Sequence, residues 1–218
     1  MSNHSGSSVW RSVMIAGLVT FLITSVRLVG ELLHWDAKYF GEPAGGGFAL
    51  VGIVWLVPLV GFAIGRKLKG AGHGPGSVWL AFVVALLGLA AVMSGAFYVF
   101  KKVPVETLPN WMTYLSYGAP AVALLVLLVW PRAFFALLLY GVLARGPVIG
   151  AQYLSIRQNW DTHYEKLDPK FGQVAPAEKE KKLLVAQVSF WIPFTILCGA
   201  AAAAVGALTK RRSGGIGH

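Results

Sequence analysis

Charged residues within apolar runs are the side chains of this sequence with the clearest chemistry. Arg27 and Glu31 lie near the end of the first apolar run, and their i,i+4 spacing places them on one helix face, where they can pair. Arg145 lies near the middle of a later run, beside Gly146 and Pro147. In hydrocarbon a lone arginine costs several kcal/mol unless it faces the bundle interior, reaches the interface or finds a partner. We therefore predict that Arg27, Glu31 and Arg145 face the interior of a helix bundle and share one polar site.

Two arginines facing one carboxylate would leave this site with a net positive charge. Such an interior favours an anionic ligand, for example a lipid phosphate, a carboxylate or a small anion, held by bidentate arginine contacts. The alternative is that Glu31 only neutralises the arginines and fixes the packing of the helices. Both hypotheses predict buried charges, and they differ in whether a ligand is needed to complete the site.

Metal, cofactor and catalytic sites have weaker signals. No segment has a recognised metal-ligand spacing, and haem would need histidines deeper in facing helices, so no metal and no cofactor is predicted. The glycine-rich turn at residues 70–76 lacks the G-x-G-x-x-G pattern and follows an apolar run rather than a strand, which indicates a flexible turn. No G-x-S-x-G or H-E-x-x-H motif is present, so no catalytic residue is predicted and a non-enzymatic role is favoured.

The composition indicates an integral membrane protein. The chain has 218 residues, of which 56% are hydrophobic and 13% are charged, so it is far more apolar than soluble domains. The formal net charge of +10 does not point to nucleic acid, because the lysines and arginines cluster at the ends of apolar runs, where they contact lipid headgroups. The single cysteine, Cys198, excludes an intrachain disulfide and a Cys-ligated zinc site.

The apolar runs predict an all-α, polytopic transmembrane bundle. About 20 helical residues cover a hydrocarbon core of about 30 Å, so one helix over residues 111–156, about 70 Å long, must be divided by a turn at Pro131-Arg132. We predict a single membrane domain over residues 1–218 with a polar loop at 157–182, whose end forms a helical lead-in. The six predicted spans are residues 12–33, 48–65, 78–100, 111–130, 133–156 and 183–208.

Small residues and tryptophans refine this picture. The spacings Gly61-x-x-x-Gly65 and Gly146-x-x-x-Gly150 predict close internal packing of helices. Six of the eight tryptophans fall at predicted span ends, as expected of residues in the interfacial aromatic belt; they are Trp10, Trp35, Trp79, Trp111, Trp130 and Trp160.

The parity of the spans places the carboxyl-terminal ends of the first and fifth spans on the same side of the membrane. Polar side chains from these two ends can therefore converge on one pocket, whichever way the protein is inserted. The candidate ligand-binding residues are Arg27, Glu31, His34, Asp36, Arg145, Gln152, Tyr153, Arg157, Asp161 and His163.

These observations favour the binding or transport of an anionic or amphipathic ligand in a one-sided polar pocket. One alternative is an accessory or structural subunit of a larger membrane complex, which the small size and short loops would suit. Another is a membrane-embedded lipid-modifying enzyme, in which His34, His163 and nearby acids would act as acid and base. The expected partners are membrane lipids, an anionic small molecule and subunits of a membrane complex, and the expected location is the cell membrane, plasma or inner.

Overall fold

The structure is a computed structural model that describes residues 3–40 and 51–209. Within these ranges all regular secondary structure is helical, which confirms the predicted all-α class. A 3₁₀ turn at Pro169–Phe171 and a π-helical turn at Gln187–Trp191 interrupt the α-helices in the last third of the chain. The α-helices are α1 (Asn3–Leu32), α2 (Ala37–Phe40), α3 (Leu56–Gly70), α4 (Val78–Lys102), α5 (Leu108–Val129), α6 (Pro131–Gln158), α7 (Pro176–Ala186) and α8 (Ile192–Thr209).

Five described helices are long and apolar enough to cross a membrane. They are Ser8–Leu32 within α1, then α4, α5, α6 and the continuous run Pro176–Thr209, which joins α7, the π turn and α8. The second predicted span corresponds to α3, whose 15 residues measure about 22 Å. Residues 48–50 of that prediction fall outside the described residues.

The predicted turn between the fourth and fifth spans is confirmed, one residue earlier than expected. Trp130 has the non-helical angles φ −154° and ψ 75°, and Pro131 begins α6, where its missing N–H costs nothing. Trp130 was expected at the lipid interface, but only 1% of it is exposed. Its indole Nε1 donates to the carbonyl oxygen of His73 at 2.9 Å, so a hydrogen bond in the interior replaces contact with headgroups.

Contacts between loops define two faces of the bundle. The bond from Trp130 to His73 joins the α5–α6 and α3–α4 turns, and Lys67 contacts Ser12; we call this end the turn face. At the opposite end, Glu31 contacts His163, and the Lys170 ammonium donates to the carbonyl of Val103. This end, with residues 33–40, 103–107 and 159–175, is called the loop face. The predicted meeting of the first and fifth span ends is therefore confirmed.

Helix α8 forms the centre of the bundle and packs against α3, α4, α5 and α6. Its close approach to α3 depends on small residues, since a Cβ at Gly65 would lie 1.9 Å from the Ala203 carbonyl oxygen, and one at Gly61 would lie 2.3 Å from that of Gly199. The predicted close packing at Gly61 and Gly65 is thus confirmed. The same prediction is wrong for Gly146 and Gly150, because a Cβ at either position would meet nothing within 4 Å.

We expect Gly65→Ala to destabilise the protein by about 1–3 kcal/mol, because the added methyl group overlaps backbone atoms that cannot rotate away. Gly150→Ala is the matched control, since its methyl group enters open space on another helix. Unfolding of both variants in mixed micelles by titration with a denaturing detergent measures the difference. Equal stability of the two variants would contradict the packing of α3 on α8.

Candidate functional site

The carboxylate of Glu31 is the best-satisfied charge in the bundle interior. Only 1% of this residue is exposed. Its Oε1 accepts from Arg27 Nε at 2.8 Å and lies 2.5 Å from His163 Nδ1, and its Oε2 accepts from the backbone N–H of His163 at 2.9 Å. The predicted pairing of Arg27 with Glu31 on one helix face is confirmed.

The backbone at the end of α6 returns the chain over Glu31. Asn159 adopts the left-handed conformation (φ 52°, ψ 41°), which asparagine tolerates better than most residues. The Asn159 N–H donates to the Ile156 carbonyl and the Trp160 N–H to that of Ser155, which is a Schellman ending. Behind this reversal the hydroxyl groups of Thr162 and Ser155, both buried, bond to each other at 3.0 Å. The reversal is what places residue 163 against α1.

His163 and Tyr164 close the loop face over the carboxylate. Burial lowers the pKa of His163, and the neighbouring cations Arg27 and Lys166 add to this effect, outweighing the bond to Glu31. The imidazole is therefore neutral at pH 7 and donates from Nδ1 to Glu31. The hydroxyl of Tyr164 donates to the Thr24 carbonyl at 3.3 Å, and burial raises the pKa of Tyr164.

Arg145 has a different environment from the one predicted. It faces the interior as expected, with 4% of the residue exposed, but it forms no ion pair with Glu31 or with any other residue that the structure describes. Its guanidinium carbon lies 4.6 Å from the centre of the Trp191 ring, in a cation–π contact. Its Nε and Nη2 atoms are buried and have no hydrogen-bond partner among residues 3–40 and 51–209.

A cavity of about 1370 Å³ opens beside these groups, toward the loop face. Its walls are largely apolar, with side chains from α1, α5, α6 and the run from α7 to α8, together with residues 52–58. Six basic side chains line it against two acidic ones, Asp168 and Glu178, which leaves it electropositive. The basic residues are Arg27, Arg145, Lys166, Lys170, Lys181 and Lys182.

Unpaired buried polar atoms concentrate at this cavity. In the part of the chain that the structure describes, five buried side-chain atoms lack a hydrogen-bond partner: Thr24 Oγ1, Arg145 Nε and Nη2, Gln152 Oε1 and Gln187 Oε1. All four of these side chains line the cavity. Since buried polar atoms in folded proteins are nearly always paired, such a cluster indicates a place where a ligand completes the structure.

Of the ten predicted site residues, four line this cavity, namely Arg27, Arg145, Gln152 and His163. Glu31 stands behind them, bonded to Arg27 and His163. The other five lie elsewhere on or near the surface. His34 is exposed in the turn after α1, and Asp36 accepts from the Lys38 N–H. Tyr153 is 51% exposed beneath the Arg157 guanidinium, Arg157 pairs with Glu180, and Asp161 pairs with Lys166.

Sequence reasoning missed several lining residues, above all Thr24, Gln187 and Trp191. Gln187 lies in the last predicted span, as Gln152 lies in the fifth, so the rarity of amides in apolar runs could have drawn attention to it. The role of Trp191 had no comparable signal, because its contact with Arg145 depends on how two helices are rotated about their axes.

Comparison of the chain with models of protein families, with curated proteins and with solved structures finds no match. The geometry and charge of the cavity are therefore the basis of the functional argument.

We expect Glu31→Gln to destabilise the protein by about 3–5 kcal/mol, because the change leaves Arg27 buried without its counter-charge. The double variant Arg27→Gln, Glu31→Gln should recover part of this loss, since it removes both charges. Glu180→Gln is the control, because the side chain of its partner Arg157 is 57% exposed and solvent-exposed pairs contribute little to stability. Detergent unfolding of these variants and of the single variant Arg27→Gln gives the coupling energy, and simple additivity would refute the buried pair.

We expect the stability to fall as the pH drops from 7.5 to 5.5. The pKa of His163 is lower in the folded protein than in the unfolded chain, so below pH 6.5 the unfolded chain binds the proton more readily. His163→Asn keeps the backbone N–H and a side-chain donor but cannot titrate, so it should lose less stability over this range. Unfolding curves at both pH values provide the measurement, and identical losses in the two proteins would show that His163 is not the responsible group.

Proposed function

We propose that this protein binds an amphipathic ligand that carries an oxyanion, a carboxylate or a phosphate, in the cavity next to Arg145. The observation that carries the proposal is the state of the Arg145 guanidinium. Its two unpaired nitrogens, Nε and Nη2, share one edge of the guanidinium plane, and their N–H bonds run parallel. This edge matches the two oxygens of a carboxylate or phosphate group, which arginine binds through paired charge-assisted hydrogen bonds.

The energetics favour such a ligand over a purely structural role for Arg145. A buried guanidinium without a counter-charge destabilises the fold, and the contact with Trp191 offsets only about 0.5–2 kcal/mol of that cost. In contrast to Arg27, which has Glu31, Arg145 has no acidic partner among the described residues. An oxyanion would supply both the missing charge and the missing acceptors.

The rest of the cavity suits an apolar chain attached to the oxyanion. Its volume of about 1370 Å³ exceeds the roughly 300–1,000 Å³ of ordinary small-molecule pockets. The lysines of the loop face would attract anions from the headgroup region. In this proposal α3 completes six passes, the protein lies in the cell membrane, and ligand binding serves either lipid binding itself or the first step of transport.

Access to Arg145 requires a small movement, because the Nε and Nη2 atoms are covered by neighbouring side chains. Trp191, the last residue of the π-helical turn, is the group that stacks on the guanidinium. Isolated π turns are rare in helices and frequent at functional sites. Ligand binding should therefore change the fluorescence of Trp191.

We expect Arg145→Gln to weaken the binding of oleate and of phosphatidic acid by about tenfold or more, since it removes charge-assisted hydrogen bonds. The matched control is Arg132→Gln, an exposed arginine at the other end of α6, which should bind as the unaltered protein does. Binding is measured by native mass spectrometry in phosphatidylcholine nanodiscs, and by tryptophan fluorescence with Trp191→Phe as the reference.

The stability of the same variants separates binding from folding. Without ligand, Arg145→Gln should be at least as stable as the unaltered protein, because it removes a buried, unpaired charge. Arg145→Lys keeps the positive charge but lacks the two parallel N–H donors of the guanidinium, so it should recover only part of the affinity that Arg145→Gln loses. Equal affinities for Arg145→Gln and Arg132→Gln would refute the proposed function.

A further inference from the structure

The unpaired atoms of the cavity are of two chemical kinds. Arg145 presents donors, whereas Gln152 and Gln187 present the carbonyl oxygens of their amides, which accept; Thr24 adds a hydroxyl that can do either. We infer that the ligand's polar group carries neutral hydroxyl donors beside its oxyanion, as a polyol phosphate does. This inference rests on the proposed function and narrows the class of ligand.

The amides of Gln152 and Gln187 both lie between the loop face and Arg145. Gln152 lies seven residues after Arg145 on α6, which is two helical turns along the same face and toward the loop face. Gln187 begins the π turn that Trp191 ends, and Trp191 stacks on Arg145. Both amides therefore lie on the loop-face side of the contact between Arg145 and Trp191.

Burial makes these acceptors selective. Gln152 is 7% exposed and Gln187 is 5% exposed, so bulk water does not readily satisfy their Oε1 atoms. An oxyanion cannot bond to these oxygens, because two acceptors repel each other; both amides would have to rotate and offer Nε2 to it, whereas a hydroxyl group bonds to them as they stand. A site that is built to hydrogen-bond a hydroxyl group rejects analogues without it, since its own buried groups then stay unpaired.

The charge of the cavity excludes a cationic donor. Ammonium groups, such as those of amino-alcohol headgroups, would also donate to the amide oxygens. Six basic side chains against two acidic ones around the cavity oppose an additional positive charge. The donors that remain are uncharged, and hydroxyl groups next to a phosphate fit the two amides and Arg145 together.

The experiment compares lipids with the same acyl chains in phosphatidylcholine nanodiscs that contain the full-length protein. Phosphatidylglycerol has the phosphate with hydroxyl groups, phosphatidic acid has the phosphate alone, and phosphatidylserine has the phosphate with an ammonium group. We expect phosphatidylglycerol to bind about tenfold more tightly than phosphatidic acid or phosphatidylserine. Native mass spectrometry gives the three affinities side by side.

The variants Gln152→Leu and Gln187→Leu should abolish this preference by lowering the affinity for phosphatidylglycerol about tenfold, since the acceptors of the hydroxyl groups are then absent. Gln158→Leu is the matched control, because Gln158 is exposed at the end of α6, and it should keep the preference. Soluble glycerol 3-phosphate distinguishes the two sources of the headgroup. If it displaces phosphatidylglycerol, the site takes a free polyol phosphate; if it does not, the site takes the lipid.

Three results would overturn the inference, and they differ in what else they overturn. In the first, phosphatidylglycerol and phosphatidic acid bind equally well, the glutamine variants change neither affinity, and both affinities still depend on Arg145. This would refute the claim that the ligand carries hydroxyl donors and leave the proposed function standing. Binding of both lipids that is insensitive to Arg145→Gln would refute the proposed function and the inference with it. A preference for phosphatidylserine would refute the argument from charge.

Discussion

The bonding of the Glu31 carboxylate is the constraint on which the loop face depends. A carboxylate inside an apolar helix is tolerated only where donors surround it, and here Arg27 Nε and the backbone N and Nδ1 of His163 supply them. Because the histidine belongs to the segment after α6, the charge on α1 determines where that segment lies. The bonds from His163 to the buried Glu31 carboxylate therefore hold one wall of the cavity in place.

The size of residues along the last helix explains why the bundle is tight at one end and open at the other. Toward the turn face α8 consists largely of alanine and glycine, and α3 approaches it closely. Toward the loop face the same run carries Phe190, Trp191 and Phe194, whose large side chains line the cavity as well as packing against the core. A change from small to aromatic residues within one helix thus separates the part that holds the bundle together from the part that surrounds the cavity.

Local rules predicted a good part of this arrangement. The length of the apolar run required a break near Pro131, the i,i+4 spacing paired Arg27 with Glu31, and the parity of the spans brought residue 163 near them. These rules could not predict the contact of Arg145 with Trp191. Parity gives the side of the membrane on which a helix ends, but not the rotation of the helix about its axis. The same limit applies to Gly146 and Gly150, whose spacing suits close packing although they face open space.

Two further features depend on contacts between distant segments. Trp130 has the sequence context of an interfacial residue, yet it lies in the interior, where its indole N–H donates to the carbonyl oxygen of His73. The shortness of α3 also follows from its surroundings, since the helix starts only at Leu56, after a non-helical stretch that lines the cavity. In both cases the local sequence allows more than one structure, and contacts with other segments determine which one forms.

The π turn has a mechanical consequence for the helix that contains it. The backbone N–H of Ile192 bonds to the carbonyl of Gln187, five residues earlier, so the turn holds one residue more than an α-helical turn. If this extra residue were passed from the π turn to the start of α7, the residues of α7 that it passed would rotate by about 100° relative to α8. The lysine-bearing surface of α7 would then face a different direction while the core of the bundle stayed in place.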